Sequence, residues 1–309
     1  MVFLCEKRGR ATENPKTEAR RPTRCARAPA RREEIRNPKS EFTKVRWFRT
    51  EARSFSFLLL GLLLVAPVVC RAQPKSELAP PPPLDPVEGE RQARELVSRL
   101  LQQRPEQAAT NTGVLKIRDA EGNQHEVPAR FAIVPGSSSW LNAYEAAPAG
   151  ASQTIKLTIV HSDGQHNQYL LETGGAFAPK KLADNELMQP FAGSDFWIAD
   201  LGLEFLHWPL QRVLRIQMRK GQSCDVLQST NPQPVPGGYS RVVSWIAINR
   251  PEDIVIVHAE AFDTRDKLLK EFDPKKVEKI NGVWQLEEME IRNRQTGTRT
   301  RIDFNLDSQ

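Results

Sequence analysis

Apolar and polar positions along the chain follow two different rhythms, separated by one segment that follows neither. Between residues 85 and 104 the spacing is helical. Leu96, Val97, Leu100 and Leu101 share one stripe, and Arg91, Arg94, Glu95 and Arg99 lie mostly around the other side. Asp85-Pro86-Val87-Glu88 is a start signal, with a capping carboxylate, a proline suited to the first helical position and an acid that can reach back. Pro105 ends the helix.

From residue 113 the period changes to two. Val127, Ala129, Phe131 and Ile133 alternate with polar neighbours, as do Ile155, Leu157 and Ile159, and Asp163-Gly164 marks a hairpin turn. Further strands are expected at 113–118, 140–145 and 168–172. After residue 209 they resume at 213–218, 224–228, 239–248, 253–262, 268–272, 283–291 and 300–306. Turns are expected at Gly237-Gly238, Asn281-Gly282 and Gln295-Thr296-Gly297. Residues 182–209 interrupt this pattern with a partly helical, apolar stretch carrying Phe191, Phe196, Trp197, Phe205 and Trp208. The expected fold is α+β: a large curved antiparallel sheet forming an incomplete β-barrel, with an N-terminal helix and a helical lid insertion.

Upstream of the helix the patterning disappears. Residues 55–69, FSFLLLGLLLVAPVV, form an uncharged run preceded by Arg46, Arg49 and Arg53. A membrane-spanning helix needs about 20 apolar residues, so this shorter run reads as the core of a signal peptide spanning 55–72. Cleavage is expected after Ala72. A lipidated Cys70 is the competing reading, and Val69 before it fits that poorly. Residues 1–54 have too few apolar residues to fold and read as a disordered basic leader. A reading frame started too far upstream, with Val45 as the alternative start, accounts for it. The competing reading is a cytoplasmic tail on an uncleaved anchor. Residues 73–86 form a proline-rich linker, and 87–309 the domain.

Charge follows the same partition. The net +6 of the whole chain is the balance of a net +9 in residues 1–54 and a net −4 in residues 73–309, with Arg71 adding one. The basic excess therefore belongs to the leader, and nucleic acid is not an expected partner. Of the four cysteines only Cys224 lies beyond the signal peptide, so no internal disulfide is expected there.

No motif in the chain exceeds its ordinary structural explanation. The five histidines show no metal-ligand spacing, and His161 and His166, flanking the 163–164 turn, read as solvated hairpin residues. Cys224 reads as a buried structural thiol, and Glu287, Glu288 and Glu290 as a solvated strand face. No phosphate loop, dinucleotide fingerprint or nucleophile elbow is present, so neither enzyme activity nor a cofactor is expected. The surplus lies in aromatic side chains. Phe131, Trp140, Phe196, Trp197, Phe205, Trp245 and Phe304 are the expected lining of an apolar cavity between sheet and insertion.

Gly193-Ser194-Asp195-Phe196-Trp197-Ile198-Ala199-Asp200-Leu201 resembles the GSDFSYEDL motif of the outer-membrane lipoprotein-sorting protein family, related to the periplasmic carrier LolA. Cys224-Asp225-Val226-Leu227, Tyr239 to Ile246, Ala261-Phe262-Asp263, Lys270, Gly282-Val283-Trp284 and Thr296 to Thr300 follow in the family's order. Trp197-Ile198-Ala199 and Asp225 depart from its pattern, while Gly193, Ser194, Asp195, Phe196, Asp200 and Leu201 keep it. The resemblance implies a periplasmic protein that carries lipoprotein or lipid acyl chains towards the outer membrane. The alternative it leaves open is an envelope sensor or scaffold that binds a membrane-protein partner. It assigns no gating basic residue, and Arg130 is only a candidate.

Overall fold

The structure is a computed structural model that describes residues 82–148, 153–174, 178–250, 253–280 and 283–305. The expected leader, signal peptide and most of the linker lie outside the described residues, as does the Asn281-Gly282 turn.

One helix opens the described chain, α1 at Pro86–Leu101, and Asp85 caps it by accepting from the backbone N–H groups of Val87 and Glu88. Thirteen strands follow. They are β1 (Ala109–Arg118), β2 (Gln124–Val134), β3 (Ser139–Ala146), β4 (Ile155–Ser162), β5 (Gln168–Thr173), β6 (Lys180–Lys181), β7 (Leu210–Arg219), β8 (Gln222–Thr230), β9 (Arg241–Arg250), β10 (Asp253–Phe262), β11 (Leu268–Ile280), β12 (Val283–Asn293) and β13 (Arg299–Asn305). All belong to one antiparallel sheet, in the order β6-β5-β4-β3-β2-β1-β13-β12-β11-β10-β9-β8-β7. The other eleven meander outwards from the β1–β13 pair, each beside its neighbour in sequence. At the β7–β8 turn, Lys220 and Gly221 both take the left-handed conformation of a two-residue hairpin.

The sheet does not close, and its topology explains the insertion. β6 and β7 follow each other in sequence yet lie at opposite edges. The chain between them must cross a whole face of the sheet. Residues 182–209 make that crossing, with a short helix α2 (Ile198–Leu201) and two single-turn 3₁₀ segments at Asp184–Glu186 and Glu204–His207. The architecture is thus an open, half-barrel sheet with a helical insertion across its inner face.

Two apolar clusters share that inner face. One joins β1–β5, β12 and β13 to the insertion through Phe131, Tyr144, Leu157, Phe196 and Phe304. The other joins α1 and β7–β11 to it through Leu96, Leu100, Phe205, Val213 and Ile246. Met188 and Phe272 pack against both. A third cluster, Cys224, Val226, Val243, Trp245 and Ala247, sits on the opposite face. These residues alternate along β8 and β9 with Leu227, Val242 and Ile246 of the inner face.

Three expectations need correction. β11 does not stop near Phe272. It runs to Ile280, taking Pro274 into the sheet with register shifts between Pro274 and Lys276 and between Lys276 and Val277. His161 is buried rather than solvated, because alternation along β4 turns it inward with Leu157 and Ile159. Glu290 is also buried, where Lys275, Arg292 and Arg301 neutralise it.

Candidate functional site

Two joints of different chemistry fasten the body of the insertion to the sheet, and at its end the Gln211 amide of β7 donates to the Phe205 and Trp208 carbonyls. The first joint is built by the Gly193–Leu201 motif. Residues 191–196 form a tight turn in which Ala192 and Gly193 both adopt positive φ. Ser194 fixes the turn, its hydroxyl donating to the Phe191 carbonyl at 2.7 Å and accepting from the Phe196 N–H. Asp195 then points at β13. Its carboxylate accepts from the hydroxyls of Thr298 and Thr300, and its own N–H donates to Thr300 Oγ1 at 2.9 Å. Asp200 caps α2 by accepting from the Trp197 N–H at 2.8 Å, and it also accepts from the Tyr239 hydroxyl at 2.8 Å.

Lys270 rises from β11 into the middle of this joint. It is 2% exposed and is the only Lys or Arg among the described residues to be buried. Its ammonium donates to the Asp195 carbonyl at 2.7 Å, lies 3.5 Å from the Asp200 carboxylate and sits 3.4 Å from the centroid of the Trp197 ring. Trp197 in turn stacks on Tyr239 at 4.7 Å. Burial pushes the Lys270 amine down to about 8, and Asp200 and Asp195 hold it from falling further.

The second joint holds the C-terminal half of the insertion to β3–β5. Tyr144 Oη donates to the Leu201 carbonyl at 3.1 Å, and the Asn167 amide donates to the Gly202 carbonyl at 2.9 Å. Tyr169 Oη donates to Glu204 Oε2 at 2.7 Å. Glu204 is buried, and burial raises its carboxyl above the usual carboxylate range. Next to it the exposed His166 stands 3.9 Å from Glu204 and 5.6 Å, ring to ring, from His207. His207 is held down to about 4 by burial. Beyond them, His161 stacks under Trp140 at 4.8 Å and shares a hydrogen bond with the buried Asn142 at 3.0 Å. Among the described residues no group of three or more His, Cys, Asp or Glu side chains is placed to hold a metal ion.

The aromatic residues expected to line one cavity divide into four places. Phe131 and Phe304 pack at 4.7 Å in the first cluster, with Phe196 from the insertion. Phe205 belongs to the second cluster, and Trp197 packs beside it over Lys270. Trp140 is half-buried at the rim, with Arg104 over its ring. Trp245 does not join them. Strand alternation carries it to the outer face, where Arg219 covers it at 4.5 Å and its indole N–H donates to Gln217. The motif residues are brought together, but as fasteners of the insertion. Ser194 shapes the turn, Asp195 and Asp200 bind the sheet, and Phe196 and Leu201 fill the first cluster.

A family model described as "Uncharacterized protein" matches residues 144–306, more than half of the chain, from the end of β3 through the insertion to β13. The chain belongs to this family. No curated protein matches it in sequence. Solved structures share its fold, three of them as follows. A DUF1329 family protein from Desulfovibrio piger is 18% identical, with a TM-score of 0.56 over 72% of this chain and 92% of that one. A domain assigned to outer membrane lipoprotein sorting from Vibrio parahaemolyticus is 17% identical, with a TM-score of 0.57 over 70% and 91%. A LolA superfamily protein from Nitrosomonas europaea is 14% identical, with a TM-score of 0.50 over 69% and 91%. The fold is LolA-like.

Within this family member the residue that sequence reasoning left without a role is Lys270. It appears in Leu268-Leu269-Lys270-Glu271-Phe272 as a polar position of a two-faced strand. A register shift between Ala261 and Phe262 on β10 leaves Leu269 as an extra residue opposite them, so Leu269 and Lys270 both enter the inner side. Two aspartates in one motif, each needing a partner in a buried setting, were the only signal that could have found it.

Proposed function

We propose that this protein is an envelope carrier that takes an acyl chain between the inner face of its open sheet and the insertion. The observation that carries the reading is the construction of the insertion. It covers two apolar clusters, and its polar ties to the sheet run largely through side chains: those of the two joints, the Gln211 amide of β7 on the Phe205 and Trp208 carbonyls, and Lys180 of β6 on Glu186. Lifting the insertion exposes the apolar surface of both clusters, with Lys270 between them, without breaking a pairing within the sheet. Moving an acyl chain through water costs about 0.8 kcal/mol per CH₂, so a carrier has to enclose it, and such a face is suited to that. The LolA-like fold and the lipoprotein-sorting assignment of the Vibrio domain support the same cargo class. With them comes an exported location, which the apolar run at 55–69 favours.

Native mass spectrometry of the purified chain tests the reading. A co-purified lipid or acylated peptide, displaced by a fluorescent fatty acyl probe, supports it. A protein that holds no lipid and takes up no acyl probe rules it out. N-terminal sequencing of the exported form is expected to begin at Gln73.

A second reading has one observation in its favour. Edge strand β7 exposes Leu210, Ile216 and Met218, with Met218 65% exposed. Helix α1 packs on it at Gly89 and Val213, and the only backbone hydrogen bond it receives from outside the sheet among the described residues is from the Leu84 N–H to the Leu214 carbonyl, at 2.7 Å. A scaffold that pairs with a partner through this edge would use those residues. Its signature is binding that survives complete occlusion of the inner face.

A further inference from the structure

We infer that Lys270 selects the cargo, and that the ligand taken under the insertion is an amphiphile with a single anionic head, a carboxylate or a phosphate, on its acyl chain. The inference rests on the carrier reading and narrows it.

In the closed structure the Lys270 ammonium has three partners: the Asp195 carbonyl, the Asp200 carboxylate and the Trp197 ring. All three belong to the insertion. From outside the insertion, the ring of Tyr239, in the loop before β9, lies 5.5 Å away. Lys270 therefore depends for its charge on the segment that has to move.

Its surroundings make that dependence costly. Leu269 and Phe272 flank it on β11, Ala261 lies opposite on β10, and the two inner-face clusters meet around it. An ammonium left in such a place without a counter-charge is strongly unfavourable. Two outcomes relieve it: the amine gives up its proton, or an anion takes the position of Asp200. An acyl chain lying along the inner face with its head at Lys270 supplies that anion. The same chain fills the apolar surface on either side. A neutral ester or a sugar head offers no such compensation.

Protonation sets where this selection operates. With the insertion closed, burial holds the amine to about 8 while Asp200 and Asp195 keep it from falling further; an anionic head in the place of Asp200 supplies the same counter-charge, so the bound site is charged at neutral pH and loses its charge in alkali. Preference for an anionic head is therefore expected at pH 6–7 and expected to fade towards pH 10. The carboxylate of the ligand does not change its charge between pH 7 and 10, and a preference that fades with pH in the unmodified protein and is already absent at pH 7 in Lys270→Met belongs to the lysine.

The experiment compares two fluorescent probes with one 16-carbon chain, a free carboxylate and its methyl ester, titrated into the purified chain below their micelle concentrations. Hexadecyl phosphate and hexadecanoate serve as competitors. At pH 7 the carboxylate is expected to bind roughly tenfold more tightly than the ester, the size of one charge-assisted hydrogen bond. That preference is expected to shrink to within about twofold at pH 10 and in Lys270→Met, and to persist in Lys270→Arg. If hexadecyl phosphate displaces the probe as well as hexadecanoate does, the head is read by its charge alone; if only hexadecanoate does, by the carboxylate. Equal affinity for both probes at pH 7 overturns the inference and leaves the carrier reading intact. Failure of both to bind overturns the two together. Should Lys270→Met not fold, the pH dependence of the probe ratio in the unmodified protein decides alone.

Discussion

The hydroxyl of Tyr239 donates to Asp200 at 2.8 Å, from the start of the β9 hairpin to the only acid of helix α2. Asp200 thereby serves three neighbours at once: the Trp197 N–H, Tyr239 and Lys270. Tyr239→Phe removes one and leaves two. It also keeps the ring that stacks on Trp197. The expected cost is about 1–2 kcal/mol, because Asp200 keeps its other partners and is not left uncompensated. Urea denaturation measures this cost. Hydrogen exchange is expected to quicken in residues 196–206 and to remain unchanged in β3 and β4. Uniform quickening across the sheet would show that Tyr239 supports the whole fold rather than the joint.

Gly202 is a second place where the insertion is specified by very little. A Cβ added there would lie 2.1 Å from Tyr169 Oη and 2.7 Å from the ring. Tyr169 has no freedom to retreat, since it is 2% exposed and bonded to Glu204. Gly202→Ala is therefore expected to destabilise the protein by about 1–3 kcal/mol through overpacking, despite adding a single methyl group. The double variant Gly202→Ala, Tyr169→Phe is expected to recover part of that loss. A thermal melt of the four proteins of this cycle measures it. Strict additivity would mean that the two groups do not collide.

The buried carboxyl of Glu204 predicts a pH dependence with a definite sign. Its native value is raised by burial above 4.5, so between 4.5 and that raised value the native protein keeps a proton the unfolded chain has lost. Stability then falls as pH rises through this window and is level above it. His161 and His207 act in the opposite sense. Burial holds them at about 3 and about 4, so below 6.5 the unfolded chain takes up protons the native state refuses. Stability is lost as pH falls towards those values. Glu204→Gln keeps an acceptor for Tyr169 and removes only the first effect. The difference between the variant and the unmodified protein, measured by urea denaturation from pH 4 to 8, is expected to grow in the variant's favour as pH rises. A constant difference would show that Glu204 titrates normally.

How far the sequence carried this description depended on whether alternation was intact. Along β13, Ile302 and Phe304 alternate with charged neighbours and take the inner face as the pattern requires. β9 gave no such guidance. Val242, Val243, Trp245, Ile246 and Ala247 make both of its faces apolar, so period-two reasoning identifies a buried strand without saying which face meets the insertion. Lys270 was hidden by the opposite problem, a bulge that turns two successive residues to one side. Residues 182–209 stood out because their composition breaks the strand pattern. Their route across the sheet did not, because it follows from the β1–β13 pairing between residues almost 200 positions apart.

The division of aromatic residues between the two faces gives the sharpest separation of stability from binding. Trp245 is 5% exposed on the outer face, against Cys224, Val226 and His258. Trp245→Ala should cost about 3–5 kcal/mol, as large-to-small changes at buried aromatic sites do. Phe131 is equally buried on the inner face, in contact with Phe304 and Tyr144. Phe131→Ala should cost a similar amount. Only the second variant is expected to alter the affinity for an acyl probe, because it alone removes surface from the face the insertion covers. Probe titration of both variants, at a temperature where each remains folded, measures the contrast. Weakened binding in Trp245→Ala with unchanged binding in Phe131→Ala would place the ligand on the outer face and reverse the assignment of the two sides of the sheet.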